Sequence, residues 1–404
     1  MESYPWTGME RAMKIQEIIL RAIGKKISWL QAAEIIGISA RQMRRIKQRY
    51  EEYGYDGLYD RRRGKPSPKR VELETVEKVL SLYQEKYYDF NVQHFYEKLV
   101  EEHGIDLSYT WVKTALQGAG LVKKGRKRGV HRKRRERRPL PGMMLHIDGS
   151  KHRWFQDERW YDLIVIMDDA TSEIYYAQLV EEESTRTVMI AIREVIKERG
   201  IFCSLYSDRA SHFFLTTKAG EAVDRDRLTQ VGRALRDLKI KAIPAYSPQA
   251  RGRGERGFGT WQGRLPQELR VRGLTTLEDA NRFLRETYIQ EWNRKFTVPA
   301  TQKGTAFVPI RGKDKKDLDL VFSLQHERTV ARDNTISFAN KTLQLEKTKW
   351  RSTLGGSKVT IYEHLEGGLS VRYGLHLIGS YSDDGVLIVS ETSQTTNAKA
   401  RRAA

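Results

Sequence analysis

The sequence predicts a multidomain protein with an all-helical N-terminal part, a central α/β part and an all-β C-terminal part. Its 404 residues are enough for two or three domains with sizeable cores. Apolar residues recur with a helical period before residue 121 and with the period of two that is typical of strands after residue 140. The tract KKGRKRGVHRKRRERR, residues 123–138, separates the two patterns. We therefore expect a basic linker at 121–140.

The overall charge indicates a polyanionic partner. The formal net charge is +20, an excess that most often accompanies nucleic-acid binding. A single cysteine, Cys203, excludes an internal disulfide framework and a cysteine zinc site. No run of about 18 apolar residues and no apolar signal-peptide core is present, so we expect a cytoplasmic protein that does not interact with membranes.

The first domain, residues 9–60, is predicted to hold three helices. An apolar face runs along 9–23, and SWLQ at 28–31 and SARQ at 39–42 have the Ser-x-x-Gln spacing of capping boxes. Two capped helices around a short Gly-containing turn indicate a helix-turn-helix. In that motif the last helix, 40–50, would offer these side chains to the major groove: Arg41, Gln42, Arg44, Arg45 and Lys47. An ordinary helical hairpin with a basic solvent face is the alternative.

Residues 61–70 are predicted to be a basic linker of the type that lies in an A/T-rich minor groove. Its cations are Arg61, Arg62, Arg63 and Lys65. Its glycines and prolines, together with Gly54 and Gly57 before them, predict no regular element here. Residues 71–120 are then predicted to form three further helices, with Ser108 as an N-cap, in a second unit similar to a helix-turn-helix.

The basic tract is expected to follow a phosphate backbone and release counterions as it binds. A solvated, passive linker is the alternative reading of a block of like charges. The cations that we predict to contact DNA are Lys123, Lys124, Arg126, Lys127, Arg128, Arg132, Lys133, Arg134 and Arg135.

After the tract, residues 141–300 are predicted to form a mixed α/β core. Strands at 144–149, 161–167 and 174–180 have linkers short enough for an antiparallel meander. A helix at 184–199, a strand at 202–206, a basic helix near 228–238 and a strand at 241–245 follow. Residues 315–391 alternate apolar and polar residues in short strands, which suits a small barrel, and residues 392–404 are expected to be a disordered tail.

Three carboxylates are the strongest candidates for chemistry. Asp148 ends the first strand in LHIDGS, Asp208 follows the fourth strand in LYSDRASHF, and Glu255 begins the next helical stretch in GRGERGFG. A carboxylate at the end of an apolar strand is costly to desolvate without a partner, and Mg²⁺ is a cation that prefers such oxygen ligands. Two ions together would activate an attacking oxygen and stabilise a leaving oxygen at phosphorus. A cap, turn or surface salt bridge explains any one of these acids alone equally well.

Other polar residues nearby are weaker candidates. Asp168 and Asp169, in the turn MDDAT, are interpreted as turn residues. His146, His152 and His212 are each possible catalytic groups, but an isolated histidine is more often a core or surface hydrogen-bonding residue.

The order HIDGS, YSDRASHF and AYSPQARGRGERGFGTWQ resembles the integrase core of DDE transposases. The layout of residues 10–300 is similar to the ISNCY group of bacterial insertion-sequence transposases, and SPQ-x-x-G-R-x-E-R is the most specific part of the resemblance. The resemblance implies a ribonuclease-H-like core, a C-terminal SH3-like barrel, and a catalytic, metal-binding triad of Asp148, Asp208 and Glu255. It departs from the commonest pattern in having Arg209-Ala210 after the second aspartate and a longer spacing to the third acid.

The same resemblance implies DNA strand cleavage and strand transfer at the ends of a mobile element. The expected cofactor is a pair of Mg²⁺ ions, for which Mn²⁺ substitutes. The expected partners are double-stranded DNA, as terminal inverted repeats and as target, and a second copy of the chain in at least a dimer. A bacterial, cytoplasmic protein that is nucleoid-associated when bound to DNA is implied. The barrel would bind either DNA or protein. The alternatives are a non-catalytic DNA-binding regulator with a decayed nuclease core and an RNA–DNA hybrid nuclease of the same fold.

Overall fold

A computed structural model describes residues 6–59, 71–123, 125, 136–216, 223–224, 226–246, 254–310, 318–348 and 351–388. The chain divides into two compact units, Met1–Lys78 and Val79–Ala404. The α-helices are α1 (Trp6–Ile23), α2 (Trp29–Ile36), α3 (Ala40–Tyr53), α4 (Leu73–Glu85), α5 (Val92–Glu101), α6 (Tyr109–Gly118), α7 (Thr185–Arg199), α8 (Gln230–Asp237), α9 (Gly254–Gln262), α10 (Leu265–Val271), α11 (Leu277–Phe283) and α12 (Ile289–Phe296). The strands are β1 (Leu145–His152), β2 (Tyr161–Asp168), β3 (Ile174–Val180), β4 (Ser204–Ser207), β5 (Lys241–Pro244), β6 (Leu324–Thr329), β7 (Thr335–Phe338), β8 (Lys341–Gln344), β9 (Lys358–Glu363), β10 (Leu369–Tyr373), β11 (His376–Tyr381) and β12 (Leu387–Ile388).

The two capping boxes that the sequence predicts in the first unit are present. Ser28 and Ser39 each accept a hydrogen bond from the backbone N–H three residues later, and the glutamine at that position accepts one from the serine N–H in return. Gly37 ends α2 with φ of 76°, a left-handed conformation that favours glycine. The predicted helix boundaries around this turn are confirmed because side-chain caps specify them locally.

One element of the first unit was not expected from its glycines. Gly54–Leu58 forms a 3₁₀ helix where the sequence predicted no regular structure. The segment folds back onto α3, and a Cβ at residue 57 would lie 2.1 Å from the carbonyl oxygen of Arg49. Glycine at position 57 therefore allows the short helix to pack closely against the backbone of α3, and it does not interrupt the helix.

In the second unit, residues from Val79 to Val122 build a small helical core with α5 and α6. Asn91 and Ser108 cap these helices, so the predicted N-cap at Ser108 is confirmed. The residues that fill this core are Val79, Tyr83, Tyr87, Phe90, Phe95, Leu99, Val112 and Leu116.

The central sheet has the strand order β3-β2-β1-β4-β5. Strands β1 to β3 form the antiparallel meander that the sequence predicts, and β4 and β5 join it in parallel. One face packs on α7 and α8 through a core that includes Ile147, Ile164, Leu205, Val188 and Ile192. The other face packs on α9 to α12 through a core that includes Leu163, Val165, Leu179, Trp261 and Leu265. The prediction of a mixed α/β core is confirmed.

The C-terminal part is all-β, but the predicted barrel is not confirmed. Among described residues 324–388, the strands form a five-stranded sheet of order β12-β11-β10-β9-β6 and a separate two-stranded sheet of β7 and β8. The first and last strands of the five do not pair with each other, so the sheet stays open. Its apolar face is filled by packing against β7 and β8, including Ile336, Leu343, Ile361 and Val371.

Along the described parts of the chain, no helix is long and apolar enough to cross a membrane.

Candidate active site

Asp148 lies within β1, on the face of the sheet that α9 covers. In the antiparallel pairing of β1 with β2, it lies opposite Val165. Side chains alternate along a strand, so Asp148 and His146 share one face, whereas Ile147 joins the apolar core on the other. A narrow cavity borders Asp148 on this face, and its other lining residues are His146, Val165, Met167, Ile174, Gly257, Phe258, Trp261 and Trp292.

Asp208 follows β4 directly. The parallel pairing of β1 with β4 places Leu145 opposite Leu205 and His146 opposite Tyr206. The His146 and Tyr206 rings meet edge to face with centroids 5.1 Å apart. Asp148 and Asp208 each lie two residues beyond the last paired residue of their segment, so the two acids belong to neighbouring segments of the sheet.

The loop after β4 orients Asp208. Its Oδ1 accepts a hydrogen bond from the Ala210 N–H at 3.0 Å, and the N–H groups of Phe213 and Phe214 both donate to the Ala210 carbonyl oxygen. The segment 208–214 is therefore a compact turn that follows the strand without a break.

Glu255 is the second residue of α9, and its side chain lies outside the described residues. The glycines of this helix make it weak by intrinsic propensity, since each costs up to about 1 kcal/mol relative to alanine. Tertiary packing fixes the helix instead. Trp261 is 1% exposed and stacks on Trp292 of α12 at 4.3 Å, and Gln262 Nε2 donates to Ser150 Oγ of β1 at 2.9 Å. The expectation of a helix beginning at Glu255 is thus confirmed, and α9 lies against the strand of Asp148.

This arrangement places two of the three predicted acids on neighbouring segments of the sheet. Among the described side chains, no three His, Cys, Asp or Glu residues gather as a metal site, and Glu255 is not among them. Carboxylate oxygens such as those of Asp148 and Asp208 are donors that suit a hard cation such as Mg²⁺. The triad stays a prediction.

Comparison with known proteins identifies the family. The chain is 31% identical to a protein named "Putative transposase y4bF" from Sinorhizobium fredii over 91% of this chain and 80% of that protein. It is 28% identical to the transposase for insertion sequence IS1202 from Streptococcus pneumoniae over 80% of this chain and 76% of that protein. The chain belongs to the transposase family.

Family models match the N-terminal part of the chain, and comparison with solved structures gives weak similarities. A Homeodomain-like domain model matches residues 42–116, and a Helix-turn-helix domain model matches residues 16–66. The chain is weakly similar to a chain of the simian T-cell lymphotropic virus intasome, with 12% identity, a TM-score of 0.32, and coverage of 72% of this chain and 93% of that one. It is also similar to a chain of the Mos1 strand transfer complex, with 15% identity, a TM-score of 0.24, and coverage of 73% and 96%.

In this transposase, Asp168 and Asp169 are buried structural residues, and their hydrogen bonds reach residues outside the turn in which they lie. Both are fully buried. Asp168 accepts hydrogen bonds from the backbone N–H groups of Gly142, Ala170 and Thr171. Burial raises the pKa of the Asp168 carboxyl group, although these hydrogen bonds act to lower it. Asp169 accepts from the Arg138 N–H at 2.8 Å. Neither residue is therefore a neutral position for substitution.

The three histidines have different surroundings. His146 Nε2 lies 2.7 Å from Asp169 Oδ1, so it links the turn to the strand that carries Asp148. The His152 ring meets Trp154 edge to face at 5.1 Å, and burial lowers the pKa of His152. His212 Nε2 lies 3.0 Å from Glu183 Oε1, but off the direction of a hydrogen bond.

The predicted DNA-contacting residues of α3 divide into two groups. Arg41, Arg44 and Arg45 are exposed. Gln42 Oε1 is engaged by the Ser39 N–H at 3.1 Å, and Lys47 lies 4.9 Å from the Trp29 ring centroid, so both also serve the fold. Lys123 is exposed. The remaining predicted contacts lie outside the described residues: Arg61, Arg62, Arg63, Lys65, Lys124, Arg126, Lys127, Arg128, Arg132, Lys133, Arg134 and Arg135.

Sequence reasoning missed a charged interface between the helical region of residues 79–122 and α10. Glu268 of α10 is 3% exposed, and its carboxylate lies 2.6 Å from His94 Nε2 and 2.8 Å from Lys98 Nζ. Arg264 makes two hydrogen bonds to Glu97, at 2.7 and 2.9 Å. Burial alone would raise the pKa of Glu268, but His94 and Lys98 outweigh the effect of burial and hold the pKa of Glu268 at about 2.

A second set of pairs extends the same interface. Arg270 pairs with Asp89, and Lys295 Nζ lies 3.0 Å from Glu97. Burial likewise opposes the low pKa of Glu97, and Arg264 and Lys295 bring it to about 2. Each partner lies more than 160 positions from its counterpart in sequence, so no local pattern signals these contacts.

Proposed function

We propose that this transposase cleaves and joins DNA strands at the ends of an insertion sequence, with a divalent metal held by Asp148, Asp208 and Glu255. The observation that supports the proposal is the parallel pairing of β1 with β4, because it makes the segments that lead into Asp148 and Asp208 neighbours in the sheet. The packing of α9 against β1 supports Glu255 as the third ligand, because it keeps the first turn of α9 near the same strand.

In this proposal Mg²⁺, when bound, helps to activate the attacking oxygen and to stabilise the leaving oxygen at phosphorus. The three carboxylates hold the cation and so fix where the scissile phosphate is positioned. In cleavage, a water oxygen forms a bond to phosphorus and the bond from phosphorus to the 3′ oxygen breaks. The water loses a proton to solvent, and the leaving 3′ oxygen takes one up to become a hydroxyl. In strand transfer, that 3′-hydroxyl oxygen forms a bond to a phosphorus of the target strand and loses its proton to solvent. The bond from that phosphorus to the target's own 3′ oxygen breaks, and the leaving oxygen takes up a proton.

The helical regions provide the DNA-binding function of the proposal. Exposed Arg41, Arg44 and Arg45 on α3 would read base edges in the terminal inverted repeats, and phosphate contacts from the basic tract would set the register. Bringing two ends together requires at least a dimer.

Substitution of the three acids tests the proposal. Asp148→Asn, Asp208→Asn and Glu255→Gln each remove one ligand charge at nearly constant size. We expect each to abolish Mg²⁺-dependent nicking of a duplex that carries the element ends, while binding of that duplex stays within a few fold. The matched control is Asp157→Asn, a half-buried aspartate of the same core that pairs with Arg159.

The alternatives make different predictions in the same assay. A regulator with a decayed core binds the ends and cleaves nothing in any metal. A hybrid nuclease prefers an RNA–DNA duplex to the end DNA. Near-normal nicking by one of the three variants would remove that residue from the proposed site.

A further inference from the structure

We propose that Glu183 and His212 form a clamp that positions the two segments carrying Asp148 and Asp208. They would act as positioning residues that set the separation of the two aspartates without touching metal or DNA. This inference rests on the proposed function, because it concerns the geometry of the same site.

The first contact of the clamp is with the residue next to Asp148. A Cβ placed on Gly149 would lie 2.0 Å from Glu183 Oε2 and 2.8 Å from Glu183 Cδ. The Glu183 carboxylate therefore occupies the space that a side chain at residue 149 would take. Because side chains alternate along β1, this contact lies on the face of the sheet opposite Asp148. Glu183 thus supports the strand from behind the proposed site.

The second contact is with the loop that carries Asp208. His212 Nε2 lies 3.0 Å from Glu183 Oε1, and the side chains of His212 and Glu183 are 13% and 21% exposed. The His212 ring packs on buried Phe213 at 4.4 Å. Since residues 208–214 form a compact turn closed on Ala210, a displacement of His212 is transmitted to Asp208.

The Glu183 backbone is itself fixed, which is what a positioning residue requires. Its N–H donates to Asp162 Oδ2 at 2.9 Å, and Asp162 is a buried residue of β2. The next residue, Ser184, caps α7 by accepting from the Thr187 N–H. The carboxylate of Glu183 therefore extends from a rigid strand-to-helix junction to both aspartate-bearing segments.

The expected consequence is a change in metal affinity rather than in stability or DNA binding. Residues that orient ligands from outside the ligand set typically contribute about 10- to 100-fold in metal affinity or activity. We expect His212→Ala and Glu183→Ala each to weaken metal binding by about 10-fold on this scale.

The first experiment measures Mn²⁺ binding to the full-length protein by the electron paramagnetic resonance of the free ion, with cleavage at varied Mg²⁺ as the second readout. The control is Glu173→Ala, which removes a 2.9 Å ion pair with Arg199 in the same core. Glu173 lies far along the chain from both Asp148 and Asp208. Thermal unfolding without metal and binding of end DNA are measured alongside. Metal affinity within twofold of wild type for His212→Ala would overturn the clamp.

A second experiment uses the close contact at Gly149. Gly149→Ala forces the Glu183 carboxylate away, so alone it should weaken Mn²⁺ binding about as much as His212→Ala does. In the Glu183→Ala background the space is already open, and Gly149→Ala should then have little further effect. Additive losses in the double variant would contradict the clamp, and if Gly149→Ala fails to fold, the His212→Ala and Glu183→Ala titrations still decide the question.

The outcomes separate the clamp from the proposed function. If Asp148→Asn binds Mn²⁺ and cleaves like wild type, the proposed site is wrong. If Asp148→Asn loses both activities while His212→Ala titrates like wild type, the site stands and only the clamp is wrong.

Discussion

Removing the carboxylate of Glu268 should destabilise the second unit by several kcal/mol. The side chain is buried between His94 and Lys98, and Lys98 Nζ lies within 3.0 Å of both of its oxygens. In Glu268→Ala, the ammonium group of Lys98, 7% exposed, loses this buried partner and keeps only Glu102. Removing one partner of a buried pair typically costs about 3–5 kcal/mol, because the remaining charge is left uncompensated. Retention of the Lys98–Glu102 contact places the expectation at the lower end, about 3 kcal/mol.

Urea unfolding monitored by tryptophan fluorescence measures this loss, since Trp261 and Trp292 lie in the core next to α10. The matched control is Glu158→Ala, which removes a glutamate that is 85% exposed and pairs with Arg153 at 2.8 Å. An exposed pair contributes about 0–1 kcal/mol, so the control should unfold close to wild type. A loss below about 1 kcal/mol for Glu268→Ala would refute the argument from burial.

The double variant Lys98→Met/Glu268→Met tests the reasoning from the other side. Replacing both members of a buried ion pair by apolar residues of similar volume is often neutral or stabilising. We expect the double variant to recover most of the stability that Glu268→Ala loses. A double variant less stable than Glu268→Ala would show that the ion pair stabilises the interface by more than its desolvation cost.

Three further predictions concern DNA and pH. Arg44→Ala or Arg45→Ala should relax sequence preference by about 1–3 kcal/mol at a few base pairs in footprints of end DNA, whereas an unchanged preference would move recognition to α6. Replacing the four cations within residues 123–127 by Gln should lower the slope of log affinity against log salt by up to about 3.6, and an equal slope would leave the tract as a spacer. Glu97 and Glu268 have folded-state pKa values of about 2, below the ordinary 4.5, so their contribution to stability is complete above pH 4.5 and should be lost as the pH falls from 4.5 to 2 in urea titrations.

Elements with a local chemical signal could be predicted from the sequence. The Ser-x-x-Gln boxes fixed the starts of α2 and α3 to the residue, because the serine and glutamine bond to backbone groups within one turn. The alternation of apolar and polar residues in 174–180 predicted both ends of β3 correctly. These features depend only on neighbours in the chain.

Features that depend on distant partners could not be predicted. Asp168 and Asp169 read as ordinary turn residues because their partners at Gly142, Arg138 and His146 are more than 20 positions away. The open C-terminal sheet was expected to close because strand alternation indicates which residues face inward but not which edges meet. No sequence pattern singled out Glu183, because its proposed role depends on contacts with β1 and with the loop after β4, which are distant in the chain.

The position of α9 shows how such distant contacts reach the proposed chemistry. Its glycines leave the helix weak in isolation, yet Glu255 must be held against β1 for a triad to form. Immediately after α9, the Gly263 carbonyl oxygen accepts a hydrogen bond from Asn91, and Arg264 pairs with Glu97. Both partners belong to the helical region that the sequence presented as a separate DNA-binding module. These two contacts therefore tie the C-terminal end of the helix that carries Glu255 to that helical region.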